Sequence, residues 1–479
     1  MQMTDEYDLI VLGGGPVGEN VADRAVQGGL TAVIVESELV GGECSYWACM
    51  PSKALLRSGQ ALRAARRVPG AAEAVTGELD VPAVLKRRDA FTSDWDDSGQ
   101  VDWLSSAHID LVRGHGRISG ERRVTVTDAD GGERTLTARH AVAVSTGSDA
   151  VVPGIPGLQE AAPWTSREAT SAQEVPESLI VVGGGVVAVE MATAFASLGS
   201  RVTMLARSGV LGAFEPFAGE LVTEGLRELG VDVRTGVSPA RVDRDAAGVT
   251  VRVSRDDADD DELLADEILV ATGRRPRSDD IGLETIGLEP GSWIGTDDTL
   301  RVPGTDWLYA VGDVNGRAPL THQGKYQARA AGDAIAARAQ GGPVEDRAWG
   351  RHAATADRAS VPQVVFSDPE VASIGLTEAA AQQAGRRVRA VDVDFSSVAG
   401  ASLHGDGASG RARIVVDEDR RVLLGATFVG PEVAELVHAA TVAVVGEVPI
   451  QRLWHAVPSY PTVSEIWLRL LEAYGRDSA

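Results

Sequence analysis

Cys44 and Cys49 are the only thiols in a chain of 479 residues, and four residues separate them. Pro51 follows Cys49 by two positions. Proline suits the first turn of a helix, because its missing N–H has no partner there. The spacing therefore predicts a helix starting near Cys49, with the thiol at the positive end of the helix dipole, where a thiolate is stabilised. A pair of cysteines poised in this way can cycle between dithiol and disulfide. Two buried structural cysteines are the bland alternative, and the neighbours on both sides favour the redox reading.

The stretch before the cysteines supplies a ligand site. Asp8 to Leu12 reads as a buried parallel strand, and it runs into Gly13-Gly14-Gly15-Pro16-Val17-Gly18. A helix to about Gly28 follows, then a strand from Thr31 to Val35 that ends at Glu36. This G-x-G-x-x-G arrangement lets backbone approach a pyrophosphate at a helix N-terminus, and the acid some 20 residues on bonds a ribose hydroxyl. A second copy opens at Leu179. Ile180-Val181-Val182 leads into Gly183-Gly184-Gly185-Val186-Val187-Ala188, with alanine at the third glycine position. Its second strand, Val202 to Leu205, ends at Ala206-Arg207 instead of at an acid. An arginine there favours the 2′-phosphate of NADPH over NADH.

Composition bounds the remaining function classes. Hydrophobic residues make up 44% and charged residues 24%, as in ordinary globular proteins. Forty-five basic residues against 69 acidic ones give a net charge of −24. That disfavours nucleic acid and anionic membrane as partners. No apolar run approaches the roughly 18 residues of a membrane span, and no signal peptide is visible before the first strand. Two cysteines at catalytic spacing then point to a reducing, cytoplasmic setting. The length suggests about three domains at roughly 100–200 residues each.

Gly41 to Lys53 match the pattern G-G-x-C-x-x-x-x-C-x-P-[ST]-K. In this order, after the first dinucleotide fingerprint, the stretch resembles the pyridine nucleotide–disulfide oxidoreductases, the flavoprotein family of dihydrolipoamide dehydrogenase, glutathione reductase and mercuric reductase. The resemblance implies an α/β fold with two Rossmann-like dinucleotide-binding domains, for FAD and NAD(P), plus a C-terminal α+β dimerisation domain. Their expected bounds are 1–155 with 274–350, 156–273, and 351–479. It implies FAD contacts from Gly13, Gly15, Pro16 and Gly18, from Glu36 and Ser37, and from Gly42, Glu43 and Lys53. Gly116 belongs to a turn expected against the adenosine, and Thr146-Gly147-Ser148 resemble the family's A-T-G-S. Gly273-Arg274 lie within Ala271 to Pro276, a segment like A-T-G-R-x-P, Gly312-Asp313 is expected at the ribitol, and Leu320-Thr321-His322 is expected at the flavin. Gly183, Gly185, Val187, Ala188, Glu190 and Arg207 would serve the nicotinamide nucleotide. Cys49 would contact the flavin, Cys44 would attack substrate, and Lys53 would pair with Glu190 near the reactive flavin nitrogen. Between the cysteines the family usually carries small or aliphatic residues, whereas this chain has Tyr46-Trp47-Ala48. These aromatics either line the substrate approach or simply pack.

The rest of the chain is read more coarsely. Residues 54 to 110 are expected to be mainly helical, 110–112 and 124–128 to be strands, and 141–147 a strand ending in the Thr146 turn. Residues 151 to 158 form a linker, and the acidic run from Arg255 to Glu262 a solvated hairpin loop. From about Val361 a third domain carries strands at 412–416 and 423–429 and helices at 431–445 and 464–474. It resembles the family's interface domain, which forms a homodimer whose active sites are shared across the interface. Here the chain departs from the disulfide reductases, which carry His-Pro-Thr and then a Glu. Tyr460-Pro461-Thr462 stands at that place, with Glu465 following. A histidine titrates near 6.5 and a tyrosine near 10. On the order of 0.1% of an ordinary tyrosine is ionised at pH 7, so Tyr460 is a hydrogen-bond donor rather than a base, the more so beside a Glu465 carboxylate. His455 is the other candidate acid–base. Mercuric reductases share the tyrosine but add a C-terminal cysteine pair, which Arg476 to Ala479 do not provide.

The expectation is thus an FAD enzyme passing electrons from NAD(P)H through the flavin and the Cys44–Cys49 pair to a small disulfide or other acceptor. Reduction of a quinone or metal ion, and service as the dihydrolipoamide dehydrogenase-like component of a 2-oxoacid complex, are the alternatives.

Overall fold

The computed structural model describes residues 5–255, 258–407 and 409–476. The chain divides into two compact units. The first comprises Met1–Pro51, Asp89–Ala150 and Arg274–Arg358; the second comprises Ser52–Arg88, Val151–Gly273 and Ala359–Ala479.

The first unit is built on a sheet ordered Ile109–Arg113, Ala32–Glu36, Glu6–Leu12, Glu133–Val144, Arg123–Thr127, His115–Gly120, with Leu308–Ala310 also pairing with Glu133–Val144. The strand Glu6–Leu12 is central and lies parallel to Ala32–Glu36, in the register Leu9 to Ala32 through Leu12 to Val35. It is apolar at successive positions because both faces are covered. Leu9 and Val11 pack with Val21, Ala25, Ala331 and Ile335 from the helices Pro16–Gln27 and Thr321–Ala339. Ile10 and Leu12 pack on the other side with Val124, Val126, Leu136 and Trp307. The helix Thr321–Ala339 has no counterpart among the sequence expectations, and the strand expected at 141–147 ends at Val144.

The second unit holds a four-stranded parallel sheet, ordered Asp232–Thr235, Arg201–Ala206, Ser178–Val182, Glu267–Val270. A three-stranded antiparallel sheet of Ser238–Asp245, Gly248–Arg255 and Ala258–Ala265 accompanies it. This overlaps the acidic run, so Asp259 to Glu262 belong to a strand and not to a loop. Asp256 and Asp257 lie outside the described residues. The remaining sheet is five-stranded and antiparallel, ordered Pro362–Val365, Glu370–Gly375, Val422–Gly430, Arg411–Asp417, Val388–Asp394. The helices Val433–Val445 and Ile466–Tyr474 bury Leu436, Ala440, Leu470 and Leu471 in its core. Arg413 ties this sheet to the start of the helix Pro216–Glu228. It reaches Glu215 at 3.0 Å, Glu378 at 3.1 Å and Asp392 at 2.6 Å.

The helix expected from Pro51 runs Cys49–Arg66, with Pro51 as its third residue. Its first turn is counted with the first unit and the rest with the second.

Candidate active site

In the first unit the turn after the central strand carries the glycine fingerprint. A Cβ on Gly18 would lie 1.9 Å from the Gly13 carbonyl oxygen, so only glycine lets the helix start this close to the strand. Glu36 closes the turn from the neighbouring strand. Its Oε2 accepts from the Gly14 N–H at 2.7 Å and its Oε1 from the Glu38 N–H at 2.7 Å. The cysteine stretch abuts the same turn. Gly42 has φ +56°, and a Cβ there would come 2.8 Å from the Gly15 Cα. The consecutive glycines 41 and 42 therefore let the short helix Gly42–Tyr46, which carries Cys44, lie against the fingerprint.

These elements border a groove within the first unit. Gly13, Gly15, Pro16 and Glu36 line it, as do Thr146, Gly147 and Ser148. Gly42, Glu43, Cys44, Arg274, Asp313 and Thr321 complete the lining among the residues anticipated from sequence. Asp313 is oriented by Ser148, whose Oγ donates to Asp313 Oδ2 at 2.7 Å and accepts from Arg274 Nε at 2.7 Å. Thr321 Oγ1 lies 3.5 Å from Cys49 Sγ. Both cysteines are half-buried, and Cys49 heads its helix. A groove lined by a glycine cradle, a carboxylate and a thiol fits a dinucleotide.

Not every anticipated residue lines the groove: Cys49, expected at the flavin, is absent from the lining, whereas Cys44, expected at the substrate, is part of it. Gly116 sits in the strand His115–Gly120, where a Cβ would meet Leu12 and Val35 at 2.8 and 2.9 Å. Ser37 and His322 are exposed, and Leu320 precedes the helix that Thr321 begins. Gly312, with φ +84°, turns the chain into Asp313. Sequence reasoning missed Arg277, which lines the groove and pairs with Asp149 at 2.5 Å and with Glu43 at 3.5 Å. Its only signal is its place one residue beyond the Arg274–Pro276 strand. Tyr46 packs instead of lining an approach. It is buried, donates from its hydroxyl to the Val40 carbonyl at 3.0 Å, and has its phenol pushed up to about 12, first by burial and then by Asp97 and Glu19. Half-buried Trp47 meets its ring edge-on at 5.7 Å.

The second unit contains the other fingerprint. Gly183 to Gly185 link the strand Ser178–Val182 to the helix Val186–Ser197, which carries Val187 and Ala188 in its first turn. Ala206 ends the strand that corresponds to the one ended by Glu36, so a buried methyl stands where the first unit has a carboxylate. Arg207 follows, exposed and without an ion pair among the described residues. Gly273, with φ +146° and open space at its Cβ position, ends this segment of the unit. Glu190, 4% exposed, pairs with Lys53 at 2.6 Å and accepts from the Phe366 N–H at 3.1 Å. The structure thus brings together the pair implied by the resemblance.

Around Tyr460, also in the second unit, the arrangement differs from expectation. Glu465 does not bond to Tyr460. Its Oε1 accepts from Arg469 at 2.6 Å, four residues on, a spacing that makes neighbours on a helix. Its Oε2 is buried without a hydrogen-bond partner among the described residues. Tyr460 is 75% exposed, with Val457 at 84% and Leu403 at 69% also bare in the single chain. His455 is exposed as well.

Among the described residues no helix is long and apolar enough to cross a membrane. Residues 7–340 match the family described as pyridine nucleotide-disulphide oxidoreductase, and residues 361–470 match its dimerisation domain. A dihydrolipoyl dehydrogenase of Haloferax volcanii is 32% identical, covering 97% of this chain and 95% of its own length. A mercuric reductase of Streptomyces lividans is 30% identical, covering 100% and 98%. Among solved structures, the Cu(II) complex of the HOCl-induced flavoprotein disulfide reductase RclA from Escherichia coli shares the fold, with a TM-score of 0.82 at 23% identity over 98% of this chain and 99% of that one. The chain belongs to the pyridine nucleotide–disulfide oxidoreductases and, as a member, is an FAD enzyme working with NAD(P)H.

Proposed function

We propose that Cys44 and Cys49 form the redox pair and that the acceptor is a small disulfide. The observation that supports this best is the placement of Cys44 in the groove wall and of Cys49 at a helix N-terminus beside Thr321. FAD, when bound, supplies the two-electron carrier between NAD(P)H and the cysteines. Two electrons and two protons open the Cys44–Cys49 disulfide to the dithiol. Cys44, as thiolate, attacks one sulfur of the acceptor and expels the other as a thiol. Cys49 then attacks Cys44 of that mixed disulfide, releases the second thiol and restores the pair, so one disulfide becomes two thiols per NAD(P)H. The helix dipole favours the Cys49 thiolate. Lys53, held by Glu190, supplies a fixed cation for the flavin, and Tyr460 of the partner protomer donates a hydrogen bond to the departing thiolate. The division into segments 1–155 with 274–350, 156–273 and 351–479 and the sharing of sites across a homodimer belong to the same reading.

A second reading, reduction of a quinone or metal ion at the flavin or dithiol, is favoured by the tyrosine site. With Tyr460 in place of histidine and Glu465 engaged by Arg469, no carboxylate-backed acid–base pair forms. The same feature weighs against a dihydrolipoamide dehydrogenase-like role in a 2-oxoacid complex.

The test is an anaerobic titration of the purified protein with NADPH and, separately, NADH. A long-wavelength absorbance band at two electrons per chain is expected, from a Cys49 thiolate beside oxidised flavin. Bleaching without that band takes the cysteines out of the path and leaves direct flavin acceptors. The nucleotide choice has its own variant. Arg207→Ala is expected to weaken NADPH by roughly 10-fold or more relative to NADH, the usual loss for a charge-assisted phosphate contact. An unchanged ratio of the two KM values would remove Arg207 from the site.

A further inference from the structure

We infer that Gln327, oriented by the buried Asp357, is the positioning residue that sets the Gly312–Asp313 turn and the start of the Thr321 helix against the cofactor groove. The inference rests on the reading that Asp313 and Thr321 face the flavin cofactor.

The observations form one closed hydrogen-bond ring within the first unit. Gln327 is fully buried on the helix Thr321–Ala339. Its Oε1 accepts from the Gly312 N–H at 2.8 Å and from Asn315 Nδ2 at 2.8 Å. Asn315 Nδ2 also donates to the Ala310 carbonyl at 3.0 Å, which ties the turn back to the strand Leu308–Ala310. The other end of the Gln327 amide donates to Asp357 Oδ2 at 2.9 Å. Asp357 Oδ2 accepts from Arg317 Nε at 3.0 Å as well, and Oδ1 accepts from Gln323 Nε2 at 3.0 Å. Arg317 lies just beyond the turn and Gln323 two residues into the helix, so one carboxylate grips both ends of the segment between Asp313 and Thr321.

The ring has a direction. An amide can turn over, exchanging its oxygen and nitrogen. A carboxylate only accepts, so Asp357 requires the Gln327 nitrogen to face it, and the oxygen must then face Gly312. Reversal would set an NH2 group against the Gly312 N–H and the Asn315 NH2, leaving buried donors without acceptors at about 1–3 kcal/mol each. Burial raises the Asp357 carboxyl above its ordinary value, against the opposing pull of Arg317 and the two glutamines. A buried carboxyl encircled by donors is costly unless every partner is in place. Asp357 itself does not line the groove, so its effect passes through the side chains it holds: Gln327 on the Gly312 turn, with Arg317 and Gln323 at the two ends of the segment.

The geometry separates conservative from disruptive changes. In Asp357→Asn the remaining oxygen can serve Arg317 and Gln327, and the new NH2 can face Gln323, whose amide is able to turn over. Asp357→Leu and Gln327→Leu cannot be accommodated in this way. The test measures the FAD dissociation constant of apoprotein by recovery of flavin fluorescence, together with the holoprotein visible spectrum and the apoprotein melting temperature. Asp357→Leu and Gln327→Leu are expected to weaken FAD by roughly 10-fold and to alter the flavin bands, and Asp357→Asn to stay within about twofold. Tyr309→Phe is the structural control, because Tyr309 is buried in the same unit and bonds only to Arg338 among these groups. It should lower the melting temperature and leave FAD affinity unchanged. If the leucine variants behave like Tyr309→Phe, the inference is wrong. If they fail to fold, Gln327→Met decides, since it nearly keeps the side chain's volume while removing both the acceptor for Gly312 and the donor to Asp357; native FAD affinity in that variant overturns the inference. Asp313→Ala separates the two levels. If it binds FAD normally, the site reading itself fails, whereas weak FAD binding in Asp313→Ala with native binding in the leucine variants rejects only the positioning role.

Discussion

Cys44→Ser is expected to lower NADPH-driven reduction of a small disulfide by at least roughly 10³-fold, while reduction of a quinone stays within about twofold. A serine hydroxyl is not ionised at neutral pH and cannot form a disulfide, so both the attack and the exchange steps are lost. The effect is specific because the proposal gives the two thiols different roles, attack on the acceptor for Cys44 and contact with the flavin for Cys49. Cys44 is in the groove wall, whereas Cys49 heads the helix beside Thr321. Removing Cys44 leaves Cys49 and the glycine cradle untouched, so flavin reduction by NADPH should continue. With no partner left to close a disulfide, Cys49 should also show its long-wavelength band before any reductant is added. Stopped-flow spectra and steady-state turnover on the same preparation read both effects. Loss of quinone turnover in parallel with disulfide turnover would place the dithiol on both routes. Survival of disulfide turnover would remove Cys44 from the chemistry and with it the proposed path.

The parts of this site legible in the sequence are those fixed by short-range rules. The glycine spacing at 13–18, the acid at the end of the next strand and the proline after Cys49 are local, and each appears where expected. The helix Thr321–Ala339 is hidden for a tertiary reason. Gly324 and Gly332 weaken its helical signal, yet a Cβ at either would come 2.5 Å from Val17 or Arg24 on the facing helix. Close approach of two helices overrides propensity there. The ring around Asp357 is invisible because its members are separated by up to 45 residues and only the fold closes it. Glu465 shows the opposite failure. Resemblance directs attention to Tyr460, while the plain i,i+4 relation to Arg469 is what the structure uses.

Glu19 is a feature no pattern discloses, and it carries the second large effect. Its carboxyl lies in the first turns of the helix Pro16–Gln27, 9% exposed, with Oε1 lacking a hydrogen-bond partner among the described residues. Burial pushes its pKa from 4.5 up to about 7; Lys325 opposes the rise and Glu36 adds to it. The folded state therefore holds a proton that the unfolded chain has already released between these values. Stability then falls as pH rises through that window, by about 1.4 kcal/mol per pH unit and about 3 kcal/mol in all, and is flat on either side. Glutamine mimics the protonated form and has no charge to desolvate. Glu19→Gln should match the parent near pH 4.5 and exceed it above pH 7, by a few degrees in melting temperature at saturating FAD. The measurement is the difference between the two melting curves from pH 4.5 to 8.5, so groups common to both cancel. A difference that does not change with pH would mean that the carboxylate is solvated or paired when ionised. A variant less stable than the parent at high pH would mean that the charge itself is used, with Lys325 as the cation that attracts it, and the buried acid would then be holding the helix by attraction instead of straining it.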